Sequence, residues 1–244
     1  MEMQKDSLEI KAYAKINLGL DVLRRRPDGY HEVRMIMQTV GIYDTLILKK
    51  TEQGIAFTVS MSGEENNLPG SEGAVPDNEE NLCYKAAKLI KETYDIKEGV
   101  AISLTKRIPV AAGMAGGSTD AAAVLKGMNS LFSLGLSEET LQELGVKLGA
   151  DIPYCIRGGT VLAEGIGEKL TRLLDAPDCF LLVAKPDISV STKYVYENLK
   201  PDTLECRPDI DGMMAAIQAG SLDGVLDCMD NASLGSMATK ANHS

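Results

Sequence analysis

Positions 8 to 22 alternate without a break. Leu8, Ile10, Ala12, Ala14, Ile16, Leu18, Leu20 and Val22 fall on one side, and Glu9, Lys11, Tyr13, Lys15, Asn17, Gly19 and Asp21 on the other. Successive side chains of an extended chain point to opposite faces, so this period of two predicts a β-strand with one buried face. Pro27-Asp28-Gly29 supplies a turn. Stretches from His31 to Val40 and from Thr45 to Lys49 predict an antiparallel meander, and Ile55 to Ser60 adds another strand. Residues 62–78, rich in Gly, Ser, Glu, Asn and Pro, read as a surface loop. A helix is expected next, with Asn78 as N-cap, Glu79 and Glu80 at its positive end, and Leu82, Ala86, Leu89 and Ile90 at helical spacing. Val100 to Lys106 reads as a strand that Pro109 closes.

Further helices are predicted from about Thr119 to Leu131 and from Ser137 to Leu148, the second capped by Ser137 and stopped at Gly149. From Asp151 to Leu173 the pattern reads as short strands with glycine turns, Cys179 to Ala184 as one more strand, and two or three helices close the chain. No internal repeat is evident. Meander strands with segregated helices predict an α+β fold rather than a doubly wound α/β one.

Composition narrows the function. The 244 residues suffice for two small domains, and 44% hydrophobic content supports a core built from aliphatic side chains and Met, since Trp is absent. A net charge of -10 repels nucleic acid but leaves room for a local basic patch that binds a small anion. Arg24, Arg25 and Arg26 form such a patch, although three arginines in a turn also read as a solvated surface. Five cysteines without CxxC spacing and two histidines argue against a disulfide framework or a metal centre of the protein's own. The charged start MEMQKDSLEIKAYAK reads as no signal peptide, and no apolar run reaches membrane-spanning length, so a reducing cytoplasm is expected. A monomer or weak homodimer is expected.

The most informative segment runs from Lys106 to Ala123, KRIPVAAGMAGGSTDAAA. A strand ends, a loop of small residues follows and an Ala-rich helix begins. Glycines allow close backbone approach and positive φ, and the first N–H groups of a helix lack internal partners at its positive dipole end. Together these make a site for a di- or triphosphate, with the Ser118 and Thr119 hydroxyls able to donate to phosphate or ligate Mg²⁺. It is not a Walker A loop, because Gly117 rather than Lys precedes Ser118. It is not a dinucleotide fingerprint either, because the glycine spacing differs. A plain N-capped helix after a flexible turn is the alternative.

This segment resembles the phosphate loop of the galactokinase, homoserine kinase, mevalonate kinase and phosphomevalonate kinase superfamily, Pro-x-x-x-Gly-x-x-x-Ser-Ser/Thr-x-Ala with one residue of length variation. Pro109, Gly113, Ser118, Thr119, Ala121 and Ala122 match it. The opening residues 12–44 are similar to those of the 4-diphosphocytidyl-2-C-methyl-D-erythritol kinase family, in which Ala-Lys-x-Asn-Leu is followed by a turn and Asp-Gly-Tyr-His. Ala14, Lys15, Asn17, Leu18, Asp28, Gly29, Tyr30 and His31 match. The likeness runs from about residue 10 to residue 230.

The resemblance implies a two-domain small-molecule kinase fold with a cleft, an ATP-binding domain over 1–157 and a substrate domain over 158–244. It implies ATP with Mg²⁺ held at Pro109, Gly113, Met114, Ala115, Gly116, Gly117, Ser118 and Thr119. The adenosine falls to Asn81 and Lys106. The substrate, 4-diphosphocytidyl-2-C-methyl-D-erythritol, falls to Asn17, Tyr30, His31 and, in the second domain, Thr192. Asp151, in Gly149-Ala150-Asp151-Ile152-Pro153, becomes the general base, with Lys15 beside it to keep it ionised. Each has a plainer alternative: a solvated strand lysine, a turn-forming aspartate, strand-start packing for Tyr30 and His31, and a helix cap for Thr192. The superfamily's third motif, of the type Gly-Ser-Gly-Pro-Thr, has no counterpart near the C-terminus, so the second domain is expected to be incomplete. Two other functions therefore stay open: another kinase of the superfamily, or a nucleotide-binding relative without activity.

Overall fold

The computed structural model of the protein describes residues 6–62, 75–184 and 207–231. In chain order the elements are β1 (Ser7–Arg25), β2 (His31–Thr51), β3 (Ile55–Met61), α1 (Leu82–Thr93), β4 (Gly99–Lys106) and α2 (Gly116–Leu131). They continue with α3 (Glu138–Val146), α4 (Ile152–Arg157), β5 (Thr160–Gly165), β6 (Lys169–Arg172), α5 (Ile210–Gln218), α6 (Leu222–Asp227) and β7 (Asp230–Asn231). The mixed α+β character expected from the sequence holds.

The chain forms two compact units, each discontinuous in sequence. The first takes 1–14, 40–110 and 114–157, and the second takes 15–39, 111–113 and 158–244. The second unit thus contains two early segments as well as the residues after 157. The reason lies in β1 and β2, with 19 and 21 residues. At about 3.3 Å per residue each is some 60 Å long, more than one small unit can cover.

In the first unit the strand order is β3-β4-β2-β1. β4 runs antiparallel to β2, from Thr45 opposite Thr105 to Thr51 opposite Gly99. β3 runs parallel to β4, from Ile55 opposite Val100 to Met61 opposite Lys106. The further strand expected at Ile55 to Ser60 is present as β3, and it pairs with β4 and not with β2. A parallel pair needs a crossover, and α1 between β3 and β4 supplies it. Alternation identifies a strand but not its neighbour. The helices pack on one core, in which Leu46, Leu48, Ile90, Ile102, Leu104, Val124, Leu125, Met128 and Ile152 are buried. Gly127 lets α2 sit close on this sheet: a Cβ there would lie 2.7 Å from Ile10 Cδ1 and 2.8 Å from Leu48 Cδ2.

In the second unit β5 pairs antiparallel with β2, from Val33 opposite Gly165 to Gln38 opposite Thr160. β6 pairs with β5, and Gly19 and Leu20 of β1 run parallel to β7. Ile210, Met213, Ile217 and Val225 of α5 and α6 pack on Leu18, Ile36 and Leu162. Gly19 offers bare backbone to α5, since a Cβ would come within 2.9 Å of Ile210 Cδ1.

Several local expectations change. β2 is one continuous strand rather than two. The cap of α1 is Asn81, whose side chain accepts from Cys83 N–H, while Asn78 accepts from Glu80 N–H in the turn before it. α2 begins three residues earlier than expected, at Gly116. Ile152–Arg157 is a helix instead of a strand, because Pro153 fits the first helical turn, where its missing N–H costs nothing. Cys179 to Ala184 forms no strand, and Phe180 and Leu182 are exposed there. Thr192 and the tail beyond residue 231 lie outside the described residues.

Candidate phosphate-binding and catalytic site

α2 starts on a backbone that no side chain caps. Its N-cap, Ala115, is left-handed at φ 56, ψ 29. Ala111 (φ 55) and Gly113 (φ 70) share that sign. A left-handed alanine costs about 1–2 kcal/mol, so the loop stores strain, as ligand-binding segments often do. Thr119 N–H donates to Ala115 O at 2.8 Å. The N–H groups of Gly116, Gly117 and Ser118 therefore occupy the first turn, where helix geometry provides no acceptor. A Cβ at Gly116 would sit 3.1 Å from Lys106 Nζ and 3.3 Å from Ile108 Cγ2, so a larger residue there would have to push these side chains by a few tenths of an ångström. Of the two hydroxyls, Thr119 is buried and donates to the Tyr13 carbonyl at 2.7 Å. It anchors α2 to β1, and Ser118, half-buried, keeps its hydroxyl at the helix start.

Beneath this turn lies an ion cluster that sequence reasoning missed. The Lys106 ammonium, at the end of β4, donates to Asp44 Oδ2 and to Asp120 Oδ2, the latter at 2.8 Å. All three side chains are almost fully buried. Asp44 Oδ1 also accepts from the N–H groups of Arg107 and Ile108, the latter at 2.8 Å. Burial pushes the Asp120 carboxyl up to about 8; Lys106 opposes this and Asp44 adds to it. Burial alone would lower the Lys106 ammonium, but the two carboxylates outweigh it and raise it. Two of the three ammonium N–H donors of Lys106 are thus taken by carboxylates. Asn81, expected beside it at the adenosine, uses its side chain on Cys83 N–H and on the Pro76 carbonyl at 2.7 Å. The available signal was an isolated acid in each of two apolar contexts, Ile42-Tyr43-Asp44-Thr45-Leu46 and Thr119-Asp120-Ala121-Ala122.

Asp151 directly precedes α4, and its carbonyl accepts the first helical bond, from Cys155 N–H at 3.0 Å. The turn before it is fixed by Ile152 N–H on Gly149 O and by α3 packed on α4 at Gly145, where a Cβ would meet Ile152 Cγ2 at 2.7 Å. The Asp151 carboxylate is half-buried, and no hydrogen bond joins it to another described residue.

Lys15 belongs to the second unit. Its ammonium donates to Asn17 Oδ1 at 3.0 Å, which brings that pair together as expected from their shared strand face. Lys15 is only 5% exposed, against the solvated-lysine alternative. The one-sided burial predicted for β1 ends at Ala14, beyond which both faces are covered as far as Val22. Tyr30 is 61% exposed at the turn, its N–H held by Asp28 Oδ1. His31 starts β2 buried, and burial together with the Arg25 charge lowers its pKa. Its imidazole is therefore neutral at pH 7, with one donor and one acceptor nitrogen.

Comparison with known proteins follows the same lines. Residues 81–159 match the GHMP kinases N terminal domain. The 4-diphosphocytidyl-2-C-methyl-D-erythritol kinase of Lachnoclostridium phytofermentans is 51% identical over 226 residues, covering 93% of this chain and 74% of that protein. The chain belongs to the 4-diphosphocytidyl-2-C-methyl-D-erythritol kinase family. The kinase of that name from Lachnospira eligens is likewise 51% identical, over 93% of this chain and 75% of its own. A crystal structure of 4-(cytidine 5'-diphospho)-2C-methyl-D-erythritol kinase superposes with a TM-score of 0.73 at 30% identity, covering 97% of this chain and 79% of that one. This family member is thus a small-molecule kinase with the fold of its class. Among the described residues, no helix is long and apolar enough to cross a membrane.

Proposed function

We propose that this kinase transfers the γ-phosphoryl group of ATP to the 2-hydroxyl of 4-diphosphocytidyl-2-C-methyl-D-erythritol, a step of non-mevalonate isoprenoid precursor synthesis, in the cytoplasm. The observation that carries the proposal is the uncapped start of α2 at the end of β4. Phosphoryl transfer asks a protein mainly for positioning and charge neutralisation. The N–H groups of Gly116, Gly117 and Ser118 and the Ser118 hydroxyl receive the phosphates, and Pro109, Gly113, Met114 and Ala115 shape the loop around them. Mg²⁺ arrives with the nucleotide, since this ion is commonly held by phosphates and few protein groups. Asn81 and the Lys106 backbone border the adenosine.

Asp151 acts as general base on the accepting hydroxyl, and the Lys15 ammonium, which Asn17 orients, is the cation for the charge that develops there. The neutral imidazole of His31 offers a donor and an acceptor to the polar edge of cytosine, and the exposed Tyr30 ring offers it a face. ADP release by the purified protein tests this reading. Turnover is expected with 4-diphosphocytidyl-2-C-methyl-D-erythritol and not with mevalonate or homoserine. Turnover of mevalonate alone would replace the substrate, and nucleotide binding without any turnover would remove the enzyme.

A further inference from the structure

Asp44, Lys106 and Asp120 have no part in the chemistry above, yet they are buried charges joined to the phosphate loop. Three observations locate their action. Asp44 Oδ1 accepts both backbone N–H groups, Arg107 and Ile108, at which the chain enters the loop. Asp120 Oδ2 accepts from Lys106 Nζ at 2.8 Å, which ties α2, where the loop ends, to the end of β4, where it begins. The bare backbone of Gly116 lies against that same ammonium. One cation therefore joins both ends of the segment 109–115. Burying three ionisable side chains is expensive, and an apolar trio of similar volume would serve packing as well or better. Packing alone does not explain the cluster.

We infer that Asp44, Lys106 and Asp120 are positioning residues that hold the phosphate loop in its nucleotide-binding shape before nucleotide arrives. The inference rests on the proposed role of α2 as a phosphate site. Without the cluster, the left-handed alanines at 111 and 115 would relax, because the Thr119–Tyr13 bond holds α2 to β1 but not to the end of β4, where the loop begins. The N–H groups of Gly116 to Ser118 would then miss the phosphates, and a misplacement of about 1 Å can cost about 10²-fold in rate.

The test compares Asp120→Leu with Asp120→Asn, and both with Asp44→Asn, in the full chain. Asp120→Leu frees α2 from Lys106 while leaving the Lys106–Asp44 pair intact. Asp120→Asn keeps an oxygen for the ammonium. Asp120→Leu and Asp44→Asn are expected to raise KM for ATP by about ten- to a hundredfold and to leave KM for the cytidyl substrate within a few-fold, whereas Asp120→Asn restores KM for ATP. Equal rises in both KM values, or no change in any folded variant, would overturn the inference.

Amide hydrogen exchange on the unaltered protein decides the matter even if both disruptive variants fail to fold. Arg107 and Ile108 N–H should be protected before nucleotide is added, and Gly116 to Ser118 only after it. Protection of 107 and 108 that appears only with nucleotide would refute prior positioning. If the protein binds ATP but turns over no substrate, dissociation constants for ATP replace KM. The proposed reaction would then have failed while the positioning role is still measured.

Discussion

Replacing Asp120 by Asn should stabilise the protein more as the pH rises. In the folded state the carboxyl is pushed up to about 8, from an ordinary value of 3.8. The protonated form is therefore favoured by folding. A raised carboxyl contributes its stability below the unfolded pKa and loses it as the pH climbs through the folded one. Between about pH 4 and pH 8 the folded wild type binds one more proton at this position than the unfolded chain. Its stability should then fall with a limiting slope of about 1.4 kcal/mol per pH unit. Three pH units set a ceiling of about 4 kcal/mol on the difference. Because Lys106, Asp44 and the Cys83 thiol on α1 also face this carboxyl and couple to it, a gain of about 1–2 kcal/mol between pH 5 and pH 8 is expected.

Asparagine has no charge to bury and keeps an oxygen for the ammonium, so the Asp120→Asn variant should lack this slope. Trp is absent, so far-UV circular dichroism rather than indole fluorescence should follow urea unfolding at pH 5, 6, 7 and 8. Taking the difference between variant and wild type cancels the titrating groups that do not couple to Asp120. A difference that stays flat, or a wild type that gains on the variant as pH rises, would show that Asp120 is ionised in the fold and would refute the reasoning.

Asp151→Asn should lower kcat by about 10²–10⁴-fold, the range of a lost general base, with a smaller change in either KM; steady-state ADP release measures both. Gly145→Ala puts a Cβ 2.7 Å from Ile152 Cγ2. It should cost about 1–3 kcal/mol in urea unfolding and lower kcat as well, because Ile152 adjoins Asp151. Ser137 caps α3 by accepting from Thr140 N–H at 3.2 Å, and Ser137→Ala should cost about 1 kcal/mol with turnover unchanged.

The chemistry of this chain was legible where it depends on consecutive residues. The loop and helix start at 109–119 and the Lys15–Asn17 pair are local patterns, since a helix end and a strand face follow from spacing alone. The family resemblance likewise rests on short runs. What spacing did not carry was partnership. Asp44, Lys106 and Asp120 are separated by 62 and 14 positions, and the apolar neighbours of Asp44 mark it as unusual without naming its partners. β3 was legible as a strand but its parallel pairing with β4 was not, because alternation is indifferent to which edge a strand joins.

The sequence by itself determined the element types for most of the chain, the α+β class and the family, because these follow from periodicity, turn chemistry and motif. Tertiary structure alone decided that β4 lies between β2 and β3, that 152–157 is helical, and that Lys15 is covered rather than solvated. It alone made Lys106 a buried partner of two carboxylates. Burial and pairing depend on residues far apart in the chain, and the strength of a charge depends on the water that those residues exclude.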